Sequence, residues 1–433
     1  MSNSNDPQAL VGEAEAAGET LVRVRAEIGK AVFGQERVIE LVLSAVLAGG
    51  HVLLVGAPGL AKTRLVEATA RVLGLDWGRV QFTPDLMPAD ILGSEVLDQD
   101  ESGRRHFRFV KGPIFTQLLM ADEINRASPR TQSALLQAMQ EHHVTIGGAA
   151  YDVPMPFHVL ATQNPIEHEG AYPLPEAQLD RFLLQVDVPY PDAEIERKIL
   201  IETTGLGDQQ PQAVLNAETL IRLQRLVRAM PVGEKVLASI LELVRSARPG
   251  SSHDPRVNQH VAWGPGPRAG QALMLAVRAR ALLRGRLVPA VDDVAALARP
   301  ALVHRMSLSF GARAEGLDID TLVDELAERG APGPPPPPPP PGPRGPPPPR
   351  APAAGAWGRR ALRESRGRTP GPPGPAPPPP PPAPGPAPRP SRGAPALPSA
   401  AGAPPPPGGG AGRRPPVRGG GGPPPSAGMP AST

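Results

Sequence analysis

The 433-residue sequence contains no cysteine, which excludes disulfide bonds and thiolate chemistry and is typical of a protein from a reducing compartment. Its amino terminus, MSNSNDPQALVGEAEAAGE, is polar and acidic and lacks the apolar core of a secretory signal. The longest apolar stretch, 38–55, is interrupted by Glu40, Gly49, Gly50 and His51, so it is not a membrane span. We therefore expect a cytoplasmic protein without a membrane span.

Lysine is absent and acidic residues are nearly absent after residue 330. Of the 45 basic and 42 acidic residues in the chain, this segment holds 12 arginines and one acid, Glu364, which leaves 33 basic and 41 acidic residues before it. It also holds 41 of the 62 prolines, which fix φ and lack the amide donor. The pattern predicts a disordered Pro/Gly/Arg-rich tail over 331–433 with local polyproline II stretches. The role of this tail stays open. It fits a flexible linker, a ligand for proline-binding modules, a tether to anionic surfaces, a tolerated extension or a reading-frame error.

Between residues 51 and 188, short apolar runs alternate with helix-length segments. Runs that are apolar throughout are typical of strands buried on both faces, so the pattern predicts an α/β core with a five-stranded parallel sheet. After Tyr190-Pro191, amphipathic helical patterns replace the strands and predict an all-α second domain. The predicted strands are HVLLV (51–55), RVQF (79–82), LLMA (118–121), FHVLAT (157–162) and LLQVDV (183–188).

The segment GAPGLAKT, 56–63, follows the first predicted strand and precedes a helical pattern. Such a loop presents backbone amides to a triphosphate at a helix N-terminus, where the helix dipole favours negative charge. Lys62 would reach the β and γ phosphates, and Thr63 would give a hydroxyl to Mg²⁺. Ala61 departs from the general motif, which has glycine there, and a chance glycine turn is the alternative interpretation. The predicted phosphate-binding residues are Gly56, Ala57, Pro58, Gly59, Leu60, Ala61, Lys62 and Thr63.

Polar residues follow two further predicted strands. Asp122, at the end of LLMADE, is predicted to hold Mg²⁺, and Glu123 to orient and deprotonate the attacking water. Asn164, in ATQNP, is predicted to position the same water. Taken singly, the acids fit solvated surface charge and Asn164 fits a turn before proline. Ligands collect at the carboxyl ends of strands in open α/β sheets, so the three together favour one catalytic site.

Two arginines complete the candidate set. Arg181, in PEAQLDRF, lies just before the last predicted strand, where a guanidinium finger would meet the nucleotide of a neighbouring subunit. Arg268, in WGPGPRAG, opens a predicted helix of the second domain and would approach the γ phosphate. For either arginine, a structural salt bridge or an exposed charge is the alternative, and the sequence alone favours that alternative.

These motifs together resemble the MoxR family of AAA+ ATPases over roughly residues 20–330. The resemblance rests on GAPGLAKT, QFTPDLMPADILGSEV, FRFVKGPIF, LLMADEINRASPRTQSALLQAMQE, VTIGG, VLATQNPIEHEGAYPLPEAQLDRF and GPGPRA, in that order. It implies an AAA+ P-loop core, a helical lid, an inserted element at 87–110 and a hairpin over 144–151. The Gly147-Gly148 pair predicts the hairpin turn independently. The expected segments are an N-terminal polar segment (1–19), the α/β nucleotide-binding core (20–190), the helical lid (191–330) and the tail (331–433).

The resemblance also implies site roles and partners. It makes Arg181 the arginine finger, Asn164 sensor one and Arg268 sensor two, and it makes Ala61 an expected residue; Gly266 stands where the family more often has serine. It further implies ATP and Mg²⁺ as cofactors, a homo-oligomeric ring that we expect to be a hexamer, an adaptor with a von Willebrand factor A domain, and a client protein complex that the ATPase remodels or matures.

Two other functions fit parts of the sequence. A nucleic-acid-stimulated AAA+ motor agrees with the inserted element, the hairpin and the basic tail, but the net acidic first 330 residues argue against nucleic acid as a partner. A nucleotide-gated interaction scaffold has no need of a water-activating acid, and Glu123 therefore argues against it.

Overall fold

The structure, a computed structural model, describes residues 7–99, 104–165, 172–204 and 210–329. The predicted tail lies outside these residues. The elements before residue 190 are α1 (Pro7–Gly29), α2 (Glu36–Leu47), β1 (Val52–Val55), α3 (Lys62–Leu73), β2 (Trp77–Gln81), α4 (Pro88–Leu92), β3 (Gly93–Gln99), β4 (Arg105–Lys111), β5 (Leu118–Asp122), α5 (Pro129–Glu141), β6 (His143–Ile146), β7 (Ala149–Asp152), β8 (His158–Gln163), α6 (Glu176–Leu179) and β9 (Leu184–Asp187). They are followed by α7 (Ala193–Thr204), α8 (Ala217–Ala229), α9 (Glu234–Ser246), α10 (Pro255–His260), β10 (Val261–Trp263), α11 (Pro267–Leu283), α12 (Val291–Leu302), β11 (Ser307–Leu308), α13 (Phe310–Ala314) and α14 (Ile319–Arg329).

Five parallel strands form one sheet in the order β2-β5-β8-β1-β9. Successive side chains of a strand point to opposite faces, and both faces here are covered by apolar layers. In β1, Leu54 packs into the layer that contains α1 and α2, whereas Leu53 packs into the layer that contains α5. Burial on both sides explains why the strands are apolar throughout, and the predicted five-stranded parallel core is confirmed.

The strand order determines where the candidate site forms. β8 lies between β1 and β5, so the loop after β1, the acids at the end of β5 and Asn164 after β8 share one edge of the sheet. Parallel strands place all their carboxyl ends at the same edge. Three segments that are far apart in sequence therefore meet there.

Two antiparallel hairpins project from the core. β3 pairs with β4 over the predicted insert, and β6 pairs with β7 in the hairpin predicted from Gly147-Gly148. Both glycines have positive φ, 57° and 85°, which a tight hairpin turn requires and glycine adopts without steric cost. The Phe109 and Tyr151 rings stack at 4.2 Å between centroids and join the hairpins at their bases.

The second domain is helical as predicted, with one short antiparallel pair, β10 and β11, in addition. It is attached to the core through a buried ion network. Glu40 of α2 lies 3.1 Å from Nε of Arg280, on α11, and 2.8 Å from Nε of Arg284, the residue that follows α11. Asp293 of α12 pairs with Arg280 in turn. Glu40, which interrupts an apolar stretch of the sequence, is therefore paired in the fold.

Helix α1 changes the expected N-terminal boundary. Its buried positions, spaced three or four residues apart, form one apolar face. The boundary expected at residue 19 falls inside this continuous helix, because small alanines in its first half pack against the core although they give a weak apolar signal. No helix in the described part of the chain is both long and apolar enough to cross a bilayer. The buried positions are Ala14, Ala17, Leu21, Val24 and Ile28.

Candidate active site

The predicted phosphate loop connects β1 to α3 at the sheet edge. The Gly56 N–H donates to the Gln163 carbonyl at 3.2 Å, which ties the loop to β8. A Cβ on Gly56 would lie 2.8 Å from the Val188 carbonyl oxygen, so only glycine fits there. Ala61 has φ 57° and ψ 21°, the left-handed region that disfavours side chains. This geometry explains why the general motif has glycine at that position.

Lys62, the first residue of α3, is buried with its ammonium group turned onto the loop. Its Nζ donates to the Gly56 carbonyl and to the Ala57 carbonyl, the latter at 3.1 Å. Burial lowers the pKa of Lys62, and the nearby Asp122 and Glu123 carboxylates partly oppose this shift. A cation held among backbone amides at a helix N-terminus is suited to bind phosphate.

Asp122, the last residue of β5, is held by two groups. The Thr162 hydroxyl donates to Oδ1 at 2.5 Å, and the Arg79 guanidinium donates to Oδ2 at 2.5 and 3.2 Å. Thr162 also accepts the Glu123 N–H at 2.8 Å, so one hydroxyl orients both consecutive acids.

Glu123 adopts a left-handed backbone conformation, with φ 54° and ψ 49°. Its Oε2 accepts hydrogen bonds from Gln81 at 2.6 Å and from Arg126 at 3.1 Å. A non-glycine residue in this region is strained by about 1–2 kcal/mol, and such strain clusters at functional sites. The turn directs the Glu123 side chain into the same cavity as Lys62.

A cavity of about 500 Å³ brings most of the predicted residues together. It also contains Asn164, which is buried directly after β8. Thr63 and Asp122 supply a hydroxyl and a carboxylate, the oxygen ligands that Mg²⁺ takes together with phosphate and water. Among the described residues, no group of three or more acidic, histidine or cysteine side chains is arranged so that it could hold a metal ion by itself. The lining residues are Pro58, Gly59, Leu60, Ala61, Lys62, Thr63, Arg64, Arg79, Gln81, Asp122, Glu123, Thr162 and Asn164.

Arg181 and Arg268 lie elsewhere. Both line a second cavity of about 260 Å³, and neither lines the phosphate cavity of its own chain. Arg181 Nη1 donates to the Leu136 carbonyl. Arg268 has a side chain 54% exposed, and its Nη1 lies 3.7 Å from Asp180 Oδ2. The predicted set is thus divided between two sites on one subunit.

Comparisons with known proteins agree with this geometry. Residues 51–184 match the ATPase family associated with various cellular activities, and residues 253–326 match the AAA lid domain. The chain is 42% identical to Chaperone MoxR1 of Mycobacterium tuberculosis over 310 residues, covering 71% of this chain and 81% of the relative. The chain belongs to the MoxR family of AAA+ ATPases.

Further matches support the same family. Protein MoxR of Methylorubrum extorquens is 33% identical, with 67% of this chain and 88% of the relative covered. Uncharacterized protein YeaC of Bacillus subtilis is 40% identical, with 69% and 90% covered. A crystal structure of a predicted ATPase from Cytophaga hutchinsonii is 35% identical with a TM-score of 0.68, covering 73% of this chain and 96% of that one. The resemblance to the MoxR family inferred from the motifs is thereby confirmed.

The structure adds residues to the site of this MoxR-family chain that the sequence analysis missed. Arg79 and Gln81 lie two positions apart on β2, so they point to the same side and reach Asp122 and Glu123. Thr162 lies two residues before Asn164. Gln81 and Thr162 are polar residues near the carboxyl end of a predicted strand, and that signal was available, whereas Arg79 opens the predicted strand 79–82. Arg126, three residues after Glu123, also contacts that acid, with 3.1 Å between Nη1 and Oε2.

Proposed function

We propose that this chain is an ATP-hydrolysing chaperone of the cytoplasm that acts as a homo-oligomeric ring, with six subunits expected. One observation carries the proposal. The hydrolytic groups are assembled in one cavity, while the two arginines that would stabilise transition-state charge lie in another cavity of the same chain. A second subunit that presents its arginine cavity to the first subunit's phosphate cavity would complete the site, and repetition of such a heterologous contact closes a ring.

The chemistry assigns a role to each group. The loop amides and Lys62 bind the triphosphate. Thr63 and Asp122 would hold Mg²⁺, which would supply positive charge to neutralise the phosphates. Glu123 accepts the proton of the attacking water, and Asn164 orients that water. Arg181 of the neighbouring subunit contacts the γ phosphate as charge develops, with Arg268 beside it.

A smaller cavity next to the phosphate loop supports ATP as the nucleotide. It has a volume of about 120 Å³ and shares Gly59 to Ala61 with the phosphate cavity. Val32, Phe33 and Ile199 give it apolar walls suited to a flat base. Gln35 donates to the Leu60 carbonyl at 3.2 Å, and its buried Oε1 has no partner among the described residues. An exocyclic amino group such as that of adenine would satisfy this acceptor.

The chaperone assignment is supported by the relative named Chaperone MoxR1. We propose that the ring remodels or matures a client protein complex and pairs with an adaptor that carries a von Willebrand factor A domain. Affinity purification of Glu123→Gln with ATP should retain the adaptor and the client, because the hydrolysis-deficient state persists. If single-stranded nucleic acid stimulates turnover and no protein partner is retained, the motor function is favoured instead.

The shared site is tested with Arg181→Ala. Nucleotide affinity should be unchanged, while turnover should fall by about 10³-fold or more, the usual effect of losing an arginine finger. Arg225→Ala, at an exposed position of α8, is the matched control and should retain turnover. Rings mixed from Arg181→Ala and Glu123→Gln subunits should regain activity, because one variant keeps the acid and the other supplies the finger. A monomer that turns over at the full rate with Arg181→Ala would refute the proposal.

A further inference from the structure

Arg305 is a buried charge at the end of the 3₁₀ turn Val303–Arg305, between α12 and β11. Only 2% of the residue is exposed. A guanidinium in such a position is destabilising unless its donors are paired. Burial lowers the pKa of Arg305, and the Asp180 carboxylate opposes this shift.

Nearly all of the hydrogen bonds from Arg305 go to one short segment. Nε donates to Asp180 Oδ1 at 2.6 Å, and Nη2 donates to the carbonyls of Phe182 at 2.7 Å and Asp180 at 3.4 Å. Nη1 donates to the Leu183 carbonyl at 3.2 Å and to the carbonyl of Ala301, in the preceding helix α12, at 2.5 Å. The guanidinium therefore fixes residues 180–183 from the lid side.

Arg181 lies in the middle of this segment. The carbonyls that Arg305 holds flank Arg181 on both sides, whereas the Arg181 side chain is left in the second cavity. His304 adds a contact of 3.1 Å between its Nε2 and the Phe182 carbonyl. The turn that presents Arg181 is thus held by the lid as well as by its own chain neighbours.

Asp180 extends the connection to the second arginine. Its Oδ1 accepts from Arg305, and its Oδ2 lies 3.7 Å from Arg268 Nη1. A single carboxylate therefore spans the buried arginine and the exposed one. Lysine cannot replace Arg305 in this arrangement, because an ammonium group lacks the planar fork that reaches several acceptors at once.

We propose that Arg305 is a positioning residue for the shared active site: it holds Arg181 and, through Asp180, Arg268 at the spacing with which they meet the neighbouring subunit's nucleotide. The inference rests on the proposed function, in which both arginines act on another subunit. It follows that the finger moves with the lid of its own chain.

The test uses Arg305→Lys in full-length protein. Turnover should fall on the order of 10- to 100-fold, as expected when a catalytic group is misplaced by about 1 Å, while nucleotide affinity stays within about twofold. Asp180→Asn keeps the shape of the side chain and removes its charge. It should lower turnover as well, by a smaller factor than Arg305→Lys, and it serves as the test if Arg305→Lys folds poorly. Arg280→Lys is the matched control, because Arg280 is also a buried arginine but pairs with Glu40 and Asp293 instead of with residues 180–183. It should retain turnover within about twofold.

Mixed rings separate positioning from a general structural role. In an equimolar mixture of Arg305→Lys and Glu123→Gln subunits, about a quarter of the sites combine an intact acid with a correctly held finger from the neighbour, so turnover should recover toward that fraction. Wild-type turnover by Arg305→Lys, or no recovery in the mixture, would overturn the inference. If the mixture of Arg181→Ala and Glu123→Gln also fails to recover, the shared site itself is wrong and both proposals fall.

Discussion

Gln81 donates a 2.6 Å hydrogen bond to Oε2 of Glu123, a residue 42 positions further along the chain. The parallel pairing of β2 with β5 sets Gln81 opposite Asp122 and so brings the amide to the next residue. Arg126 donates to the same oxygen at 3.1 Å. Two donors therefore hold one oxygen of the proposed general base in place.

Gln81→Leu should lower the turnover of ATP by about tenfold, because Glu123 loses one of the two donors that orient it. The KM for ATP should change little, since Gln81 is not expected to contact phosphate. Gln81→Glu is the informative companion variant, because a second carboxylate would repel Glu123 and give a larger loss. Steady-state kinetics measure both; an unchanged or faster turnover in Gln81→Leu would contradict the orienting role.

Thr162→Val should weaken the response to Mg²⁺. The substitution preserves the shape of the side chain but removes the hydroxyl that donates to Asp122 Oδ1 and accepts the Glu123 N–H. Each buried polar group left unpaired destabilises the fold by about 1–3 kcal/mol. The Mg²⁺ concentration for half-maximal hydrolysis should rise severalfold, and Thr162→Ser should restore most of the loss. An unchanged Mg²⁺ dependence in Thr162→Val would show that Asp122 is oriented by other groups.

Ala61→Gly should be tolerated and should stabilise the fold by up to about 1 kcal/mol, because glycine adopts φ 57° without the steric cost that alanine has. Nucleotide affinity should remain. Ala61→Val should lower both the free energy of unfolding and nucleotide affinity, since a β-branched side chain fits this region poorly. Urea denaturation measures the stability of both variants, and nucleotide titration measures their affinity. Equal stability and equal affinity of Ala61→Gly and Ala61→Val would contradict the strain at this position.

Three buried histidines among the described residues, His51, His158 and His304, predict an acid-sensitive fold, because burial lowers the pKa of each. His51 Nδ1 accepts the Val159 N–H at 3.0 Å. His158 donates from Nδ1 to the Gly50 carbonyl at 2.9 Å, and its Nε2 accepts from the Gln224 amide at 3.0 Å. One nitrogen of each ring is an acceptor, so both rings are neutral. Burial lowers the pKa of His51 to about 3 and that of His158 to about 4. The unfolded chain takes up these protons below about pH 6.5, whereas the folded chain resists them until about pH 4, so stability falls between those values.

At about pH 5.5 each histidine should lower the free energy of unfolding by about 1.2 kcal/mol relative to neutral pH. Urea unfolding at the two pH values measures the loss. His158→Gln, whose amide can both donate and accept, should remove about a third of the pH dependence, because His51 and His304 still contribute. His253→Gln, at an exposed position, is the control and should leave the pH dependence of stability unchanged. If the fold is equally stable at both pH values, the buried histidines are not neutral in the folded chain.

The chain order of motifs predicted the family, the strands and most of the phosphate cavity. GAPGLAKT, Asp122-Glu123 and Asn164 each follow a strand that is apolar throughout, and parallel strands bring such residues to one edge. Periodicity did not identify α1 in full, because its first buried positions are alanines. It also did not identify Arg79 and Gln81 as site residues, since their contacts with Asp122 and Glu123 depend on the register between β2 and β5.

The sequence by itself determined the chemistry that this protein carries, because short contiguous motifs fix the loop, the acids and the strand ends on which the chemistry depends. Only the tertiary structure decided how that chemistry is divided. It placed Arg181 and Arg268 in a cavity apart from the phosphate loop, and it placed Arg305 beneath them with its donors paired. Such contacts between distant segments depend on packing geometry, which no local pattern of residues encodes.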